Sequence, residues 1–166
     1  MKIKTVTGIV FVLILFFAVG TAMSEKGSCP APKAEPFWEH VTETNPYQGW
    51  GYWPEHEGIY PGQSPHGAFL KLYANSIALK ALREGQIPLP YGSMIMKANY
   101  AKDRKTLMAL TPMYKVKDYN PEAGDWFWAK YKPNGEVQAA GKVGGCIDCH
   151  RAKKDHDWLF TEIKSE

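Results

Sequence analysis

Five consecutive residues in the last part of the chain carry the clearest chemistry in the sequence. Cys146-Ile147-Asp148-Cys149-His150 is a C-x-x-C-H motif, the signature of covalent c-type haem attachment. On a helical turn, two thiols three residues apart lie on one side and can reach the two vinyl groups of one haem. The imidazole that follows directly is then placed to ligate the iron. The motif predicts one haem c per chain, held by Cys146 and Cys149, with His150 as the iron ligand.

Other chemistries of a cysteine pair fit the sequence less well. A structural zinc site needs two further ligands at similar spacing, but the sequence holds no second C-x-x-C and only one more cysteine, Cys29. A thioredoxin-type redox pair opens a helix in a βαβ unit, which the surrounding pattern does not predict. A disulfide between Cys146 and Cys149 would close a very tight loop.

The function of such a haem depends on the sixth coordination position of its iron. A second protein ligand is typical of an electron carrier, whereas an open or displaceable position allows small-molecule binding or catalysis. The candidates for a second ligand are Met94, Met96, Met108, Met113, His40, His56 and His66. Met94 and Met96 are more typical of core packing. His66 follows Ser64-Pro65 at a loop-to-strand junction and is more typical of a surface or hydrogen-bonding residue.

An α+β domain must position these residues, built mainly from an antiparallel β-sheet with a few short helices, including one at the haem motif. Apolar and polar residues are mixed at strand length in five segments. These are His66–Ala74, Gly92–Asn99, Leu107–Val116, Asp125–Lys132 and, after a turn at Pro133-Asn134-Gly135, Glu136–Ala140.

Helix signals are fewer. Asn75 or Ser76 caps a predicted helix that runs to about Arg83 and is closed by Gly85. The segment 38–65 is rich in Gly, Pro and aromatic residues and is predicted to be mostly loops, with one short helix near Phe37–Val41.

Lys97 stands inside a predicted strand. By alternation, Ser93, Ile95, Lys97 and Asn99 share one face of that strand, and Met94 and Met96 share the other. On pattern alone, a lysine in an apolar strand is typical of a solvated edge position.

The N-terminal segment predicts export. A short basic start is followed by an uncharged apolar run and small residues, which is typical of a signal peptide (residues 1–22) cleaved after Ala22 or Ser24. The alternative is an uncleaved anchor, although the run is shorter than the roughly 18–20 residues that a membrane helix needs. A Pro-rich leader (23–36) and one haem domain (37–166) follow, and the predicted location is periplasmic or otherwise exported.

The net charge of the exported chain gives no indication of a nucleic-acid partner. Cleavage removes Lys2 and Lys4 and no acidic residue, which lowers the formal net charge from +3 to +1. A nearly neutral protein gives no reason to expect binding to nucleic acid.

Several segments, in order along the chain, resemble the cytochrome P-460 family from about Pro65 to Phe160. They are Pro65-His66-Gly67 with Leu72-Tyr73-Ala74-Asn75, then Gly92–Lys97, Thr111–Lys115, Gly124–Trp128, Gly141-Lys142 with the haem motif, and Asp157–Thr161. Their order and spacing are more specific than any single segment. The resemblance implies a mainly β-sheet homodimer with one c-type haem in each chain, unlike the helical-bundle cytochromes.

The resemblance also implies a role for Lys97. In hydroxylamine-oxidising members, a lysine five residues after a glycine is bonded to the haem edge, and Lys97 after Gly92 fits that position. The bond distorts the macrocycle and leaves the distal side of the iron open, so that hydroxylamine binds ferric iron through nitrogen and is oxidised to nitrogen oxides. Lys97 is therefore the predicted catalytic and haem-binding lysine of an oxidoreductase that passes electrons to a soluble acceptor cytochrome.

Two alternatives remain open: a non-enzymatic nitric-oxide binder and an electron-transfer cytochrome. The related cytochromes c-prime-beta share the fold, lack the cross-link and bind nitric oxide in an apolar pocket. Aromatic residues that could line such a pocket are Phe69, Trp126, Phe127 and Trp128. Some hydroxylamine-oxidising members also place a proton-relaying carboxylate shortly before the haem motif. Here Val137–Lys142 holds none, and the nearest, Glu136, belongs to the predicted turn, which argues against fast turnover.

Overall fold

A computed structural model describes residues 29–161, so the predicted signal peptide and the first part of the predicted leader lie outside the described residues. The helices are α1 (Ala34–Glu39), α2 (Ser76–Arg83) and α3 (Gly144–His150), with a π-helical turn at His40–Thr44 and 3₁₀ turns at Tyr47–Gly49, Pro121–Ala123 and Arg151–His156. The strands are β1 (Gly51–Tyr52), β2 (Tyr60–Pro61), β3 (Phe69–Ala74), β4 (Met94–Tyr100), β5 (Leu107–Lys115), β6 (Trp126–Tyr131) and β7 (Val137–Gly141).

Within residues 29–161, seven strands form one antiparallel sheet. Its order is β1-β3-β4-β5-β6-β7, and β2 also pairs with β3. This arrangement confirms the predicted α+β class and each of the five predicted strands, with ends displaced by three residues at most. The prediction of mostly loops in 38–65 missed β1 and β2, because strands of two residues are too short to show alternation.

The sheet has a separate apolar core on each face. The α3 face consists of Leu72, Ala74, Ile95, Met113, Trp126 and Trp128, packed against α2 and against Cys146 and Ile147 of α3. The α1 face consists of Tyr73, Met94, Met96, Ala98, Leu110, Tyr114, Phe127, Ala129 and Tyr131, packed against Phe37 and Val41. Because alternate residues of a strand point to opposite faces, a residue that serves the haem motif must lie on the α3 face.

Two helices flank the sheet as local sequence signals require. The side chain of Asn75 caps α2 by accepting a hydrogen bond from the backbone N–H of Ala78 at 3.0 Å, and Gly85 beyond its end has a φ of 65°. Helix α1 begins at Ala34, inside the segment assigned to the leader, and the Tyr131 hydroxyl donates to the Ala34 carbonyl at 2.9 Å. None of the helices in the described part of the chain is long and apolar enough to span a bilayer.

Candidate functional site

The C-x-x-C-H motif forms most of α3. Its backbone continues from Val143, whose carbonyl accepts hydrogen bonds from the N–H groups of Cys146 and Ile147, both at 3.0 Å. Cys146 is partly buried and burial raises the pKa of its thiol, an effect opposed by the nearby charge of Lys130. Cys149 is exposed, and both thiols are free. Two unpaired thiols three residues apart on one helix are therefore available for a covalent partner.

His150 ends α3 as a buried residue with one ring nitrogen already engaged. Its Nδ1 donates to the carbonyl of Trp158 at 2.6 Å, and its side chain is only 8% exposed. Burial lowers the pKa of His150, the hydrogen bond to Trp158 opposes that shift, and the charge of Lys97 adds to it. A neutral imidazole with Nδ1–H fixed by a carbonyl has its Nε2 lone pair free, which is the form that ligates iron.

An unusual backbone corner presents the Trp158 carbonyl to His150. Asp157 and Trp158 both have left-handed φ angles, of 51° and 66°, a conformation that costs on the order of 1–3 kcal/mol per residue when the residue is not glycine. Asp157 is held by a buried ion pair with Lys115 and accepts a hydrogen bond from the backbone N–H of Leu89 at 2.8 Å. These contacts fix the corner and so orient the ring of His150.

Lys97 lies near the middle of β4 on the α3 face. Its neighbours across the sheet are Leu72 of β3 and Thr111 of β5, so β4 is an interior strand and the solvated-edge interpretation is wrong. The side chain is partly buried, and desolvation lowers the pKa of the amine to about 8, although the charge of Cys149 opposes that shift. Lys97 also lowers the pKa of His150, so the amine, the second thiol and the imidazole are close together.

The predicted alternation of β4 is confirmed, and it removes two candidates for the sixth iron ligand. Met94 and Met96 lie in the core of the α1 face, while Ile95 lies in the core of the α3 face. Met108 is 56% exposed. Among the predicted methionines, Met113 is the one that lies in the α3-face core within the described residues.

The three candidate histidines have different surroundings. His40 begins the π-helical turn after α1, and His56 packs against the ring of Tyr60 at 4.7 Å. His66 lies in the loop before β3, partly buried, with its ring centroid 6.5 Å from that of His150. The sequence interpretation of His66 as a hydrogen-bonding residue is confirmed, since its Nδ1 is 3.2 Å from Asn99 Oδ1, but its closeness to His150 was missed.

Two aromatic rings enclose His150. Trp128 of β6 and Phe160 have centroids 4.7 and 5.1 Å from the imidazole, at 66° and 84°. Of the other aromatic residues predicted to line a pocket, Trp126 donates its indole N–H to the Asp157 carbonyl at 3.0 Å. Phe127 lies in the core of the α1 face, which removes it from the site.

Within residues 29–161, no three His, Cys, Asp or Glu side chains form a group that could hold a metal ion without a cofactor. Cys29, the remaining cysteine, is hydrogen-bonded to Tyr114, which belongs to the α1 face. The lone cysteine therefore lies away from α3.

Comparison with known protein families decides the assignment. The cytochrome P-460 family matches residues 44–161, which is most of the chain. The chain belongs to the cytochrome P-460 family. No individual curated protein matches it. Membership confirms the predicted family and makes the protein a haem cytochrome.

The site of this cytochrome fits a haem. The indole N–H of Trp128 is buried beside His150 and has no acceptor in the described part of the chain. Buried donors in proteins are normally satisfied, and haem propionates are strong acceptors of the kind that this donor lacks. Two free thiols and a free imidazole nitrogen complete the donor set for one haem.

One further basic residue of the cytochrome lies beside the motif. Lys130 of β6 shares its strand face with Trp126 and Trp128 and is exposed. Burial is the main cause of the lowered pKa of His66 and of the raised pKa of Cys146, and the charge of Lys130 acts on both groups in the lowering direction. Sequence reasoning missed Lys130, although its spacing of two from Trp128 is the signal that could have found it.

Proposed function

We propose that this cytochrome is exported, holds one haem c through Cys146 and Cys149 with His150 as iron ligand, and oxidises hydroxylamine. In this proposal Lys97 is bonded to the haem edge. The observation that carries it is the partly buried Lys97 amine on the α3 face, whose pKa is lowered to about 8 by desolvation, with the charge of Cys149 from the haem motif opposing that shift.

The environment of Lys97 supports a covalent role. A lysine with an ordinary pKa is almost fully protonated at neutral pH, whereas a pKa of about 8 leaves roughly a tenth of the amine unprotonated at pH 7. The unprotonated amine is the nucleophile. A bond from Nζ to a haem carbon would replace one hydrogen on each atom and would release two protons and two electrons, which an oxidant such as hydrogen peroxide would take up as it is reduced to water.

The other residues have supporting roles. When bound, the haem supplies an electron-accepting iron for a nitrogen ligand. The Trp158 carbonyl holds His150 in one tautomer and orientation, while Trp128 and Phe160 shield the imidazole from water. Oxidation of hydroxylamine releases protons to solvent and electrons to an acceptor, for which we propose a soluble cytochrome. We also propose that the chain forms a homodimer.

Hydroxylamine oxidation by the holoprotein, followed with an artificial electron acceptor, tests the proposal. Wild type is expected to turn over. Lys97→Arg is expected to fold but to lose turnover, because a guanidinium remains protonated and cannot form the bond. Lys130→Arg is the matched control and is expected to keep activity, since Lys130 is an exposed lysine beside the same motif. Equal activity in wild type and Lys97→Arg would contradict the role of Lys97.

A second candidate function is nitric-oxide binding without turnover. Strand β7, which precedes the motif helix, carries Val137, Gln138, Ala139, Ala140 and Gly141. None of these residues can relay a proton. Tight nitric-oxide binding by wild type, together with no hydroxylamine oxidation, would favour this function over the first.

A further inference from the structure

The distance between the rings of His66 and His150, the proposed iron ligand, is close to that of two imidazoles bound to one metal. The centroids of His66 and His150 are 6.5 Å apart and the ring planes are at 89°. Trp128 and Phe160 are closer to His150, at 4.7 and 5.1 Å. Two imidazoles that ligate one metal from opposite sides have centroids about 6 Å apart, given metal–nitrogen bonds of about 2 Å and ring radii of about 1 Å. The separation of the two histidines matches that span.

Hydrogen bonds determine which nitrogen of His66 is free. Asn99 Oδ1 accepts from the backbone N–H of Gly67 at 3.1 Å, and Asn99 Nδ2 donates to the Lys97 carbonyl and the Thr111 hydroxyl, both at 3.0 Å. The orientation of the amide is therefore fixed. Because Oδ1 only accepts, the proton shared with His66 belongs to His66 Nδ1. The lone pair is then on Nε2, which has no partner among residues 29–161.

In both histidines, therefore, Nδ1–H is held by an oxygen acceptor and Nε2 is left with its lone pair. His150 has its Nδ1–H held by a backbone carbonyl and His66 has its Nδ1–H held by an amide oxygen. An Nδ1–H fixed by an oxygen acceptor is the usual arrangement of a histidine that ligates metal through Nε2.

We propose that His66 Nε2 is a second ligand of the haem iron, opposite His150, and that it occupies the sixth position until a small ligand displaces it. The inference rests on the haem attachment in the proposed function, and not on the Lys97 bond or on hydroxylamine. His66 belongs to the loop between β2 and β3 rather than to a strand, so its ring can leave the iron without breaking the sheet. Met113, the competing methionine on the α3 face, is part of the core and pairs with Trp128 across the sheet.

Such a ligand would set the conditions for binding at the iron. A hydroxylamine or nitric-oxide molecule must compete with the His66 imidazole of the same chain. Its apparent association constant is therefore the intrinsic constant multiplied by the fraction of protein in which His66 is not bound to the iron. The resting cytochrome is then closed, and the incoming ligand opens it.

Optical and electron paramagnetic resonance spectra of the ferric wild-type holoprotein give the first test. Two histidine ligands produce six-coordinate, low-spin iron. Perpendicular ring planes leave the two π-type iron orbitals close in energy, so the low-spin signal is expected to be strongly anisotropic. A high-spin, five-coordinate wild-type spectrum would overturn the inference.

Three variants give the second test. His66→Ala is expected to be high-spin, and added imidazole is expected to restore the low-spin spectrum. His56→Ala, which removes a histidine that packs on Tyr60, is expected to match wild type. His66→Met is expected to change the spectrum, through loss of the ligand or replacement by a thioether. A low-spin His66→Ala or an unchanged His66→Met would show that another group is the ligand.

The two proposals fail separately. A low-spin wild type that becomes high-spin in His66→Ala but never oxidises hydroxylamine supports His66 ligation and contradicts the proposed enzyme. A high-spin wild type that oxidises hydroxylamine does the reverse.

Discussion

At the scale of single residues, the proposed chemistry of this cytochrome depends on the surroundings of Lys97. The amine is partly buried on an interior strand, between Leu72 and Thr111 of the neighbouring strands. Desolvation disfavours its charged form and lowers its pKa to about 8. The proposed reactivity of Lys97 therefore comes from its place in the sheet rather than from a neighbouring base.

The lowered pKa predicts how cross-linking depends on pH. Holoprotein in which Lys97 is still free, treated with hydrogen peroxide, is expected to cross-link about tenfold faster per pH unit up to about pH 7 and about fivefold faster at pH 8 than at pH 7, because the neutral amine reacts. Above about pH 8 the rate is expected to level off. The measurement is the mass fraction of cross-linked protein against time. A rate that keeps rising to about pH 10 would show that Lys97 titrates like an ordinary lysine.

The sequence predicted the local part of the site but not the long-range part. The period of two in β4 placed Lys97 opposite Met94 and Met96 without knowledge of any other strand, and the motif identified Cys146, Cys149 and His150. His66 could not be placed in the same way. Its closeness to His150 requires the β3–β4 register and the position of α3 against the sheet, and a single sequence determines neither.

At the scale of elements, α3 provides the C-x-x-C-H motif, and the corner after α3 orients the ring of His150, the proposed iron ligand. Asp157 and Trp158 leave helical geometry in left-handed conformations, and the buried Lys115–Asp157 pair joins that corner to the end of β5. Charged residues are almost never fully buried unless they are paired, so neither Lys115 nor Asp157 is expected in the core from its residue type. Because the two residues are also far apart in sequence, no local pattern indicates that they pair.

Asp157→Asn is expected to destabilise the holoprotein by about 3–5 kcal/mol, because it leaves the buried Lys115 charge without a partner. The measurement is denaturant-induced unfolding. Glu136→Gln is the matched control. It removes the exposed ion pair with Lys132, in which nitrogen and oxygen are 2.7 Å apart, and is expected to cost less than about 1 kcal/mol. Equal effects of the two substitutions would contradict the structural role of the Lys115–Asp157 pair.

At the scale of the whole molecule, the two faces of the sheet differ: the α1 face carries a core, and the α3 face carries the candidate site as well as a core. The α1 face is a closed aromatic and aliphatic core, in which Phe37 stacks on Tyr114 with centroids 5.4 Å apart. The α3 face brings together the motif thiols, His150, Lys97 and His66.

The N-terminal predictions also belong to this scale. Export predicts a mature protein that begins at Met23 or Glu25, after cleavage behind Ala22 or Ser24. The intact mass of the purified holoprotein determines which residue is N-terminal and whether the mass of one haem is included.

Peptide mapping of the same holoprotein by mass spectrometry shows whether Lys97 is bonded to the haem. We expect a peptide containing Lys97 to be recovered joined to the haem peptide that contains Cys146 and Cys149, and we expect this joined peptide to be absent from Lys97→Arg. Recovery of an unmodified Lys97 peptide from active holoprotein, with the haem held by the two cysteines alone, would contradict the proposed bond.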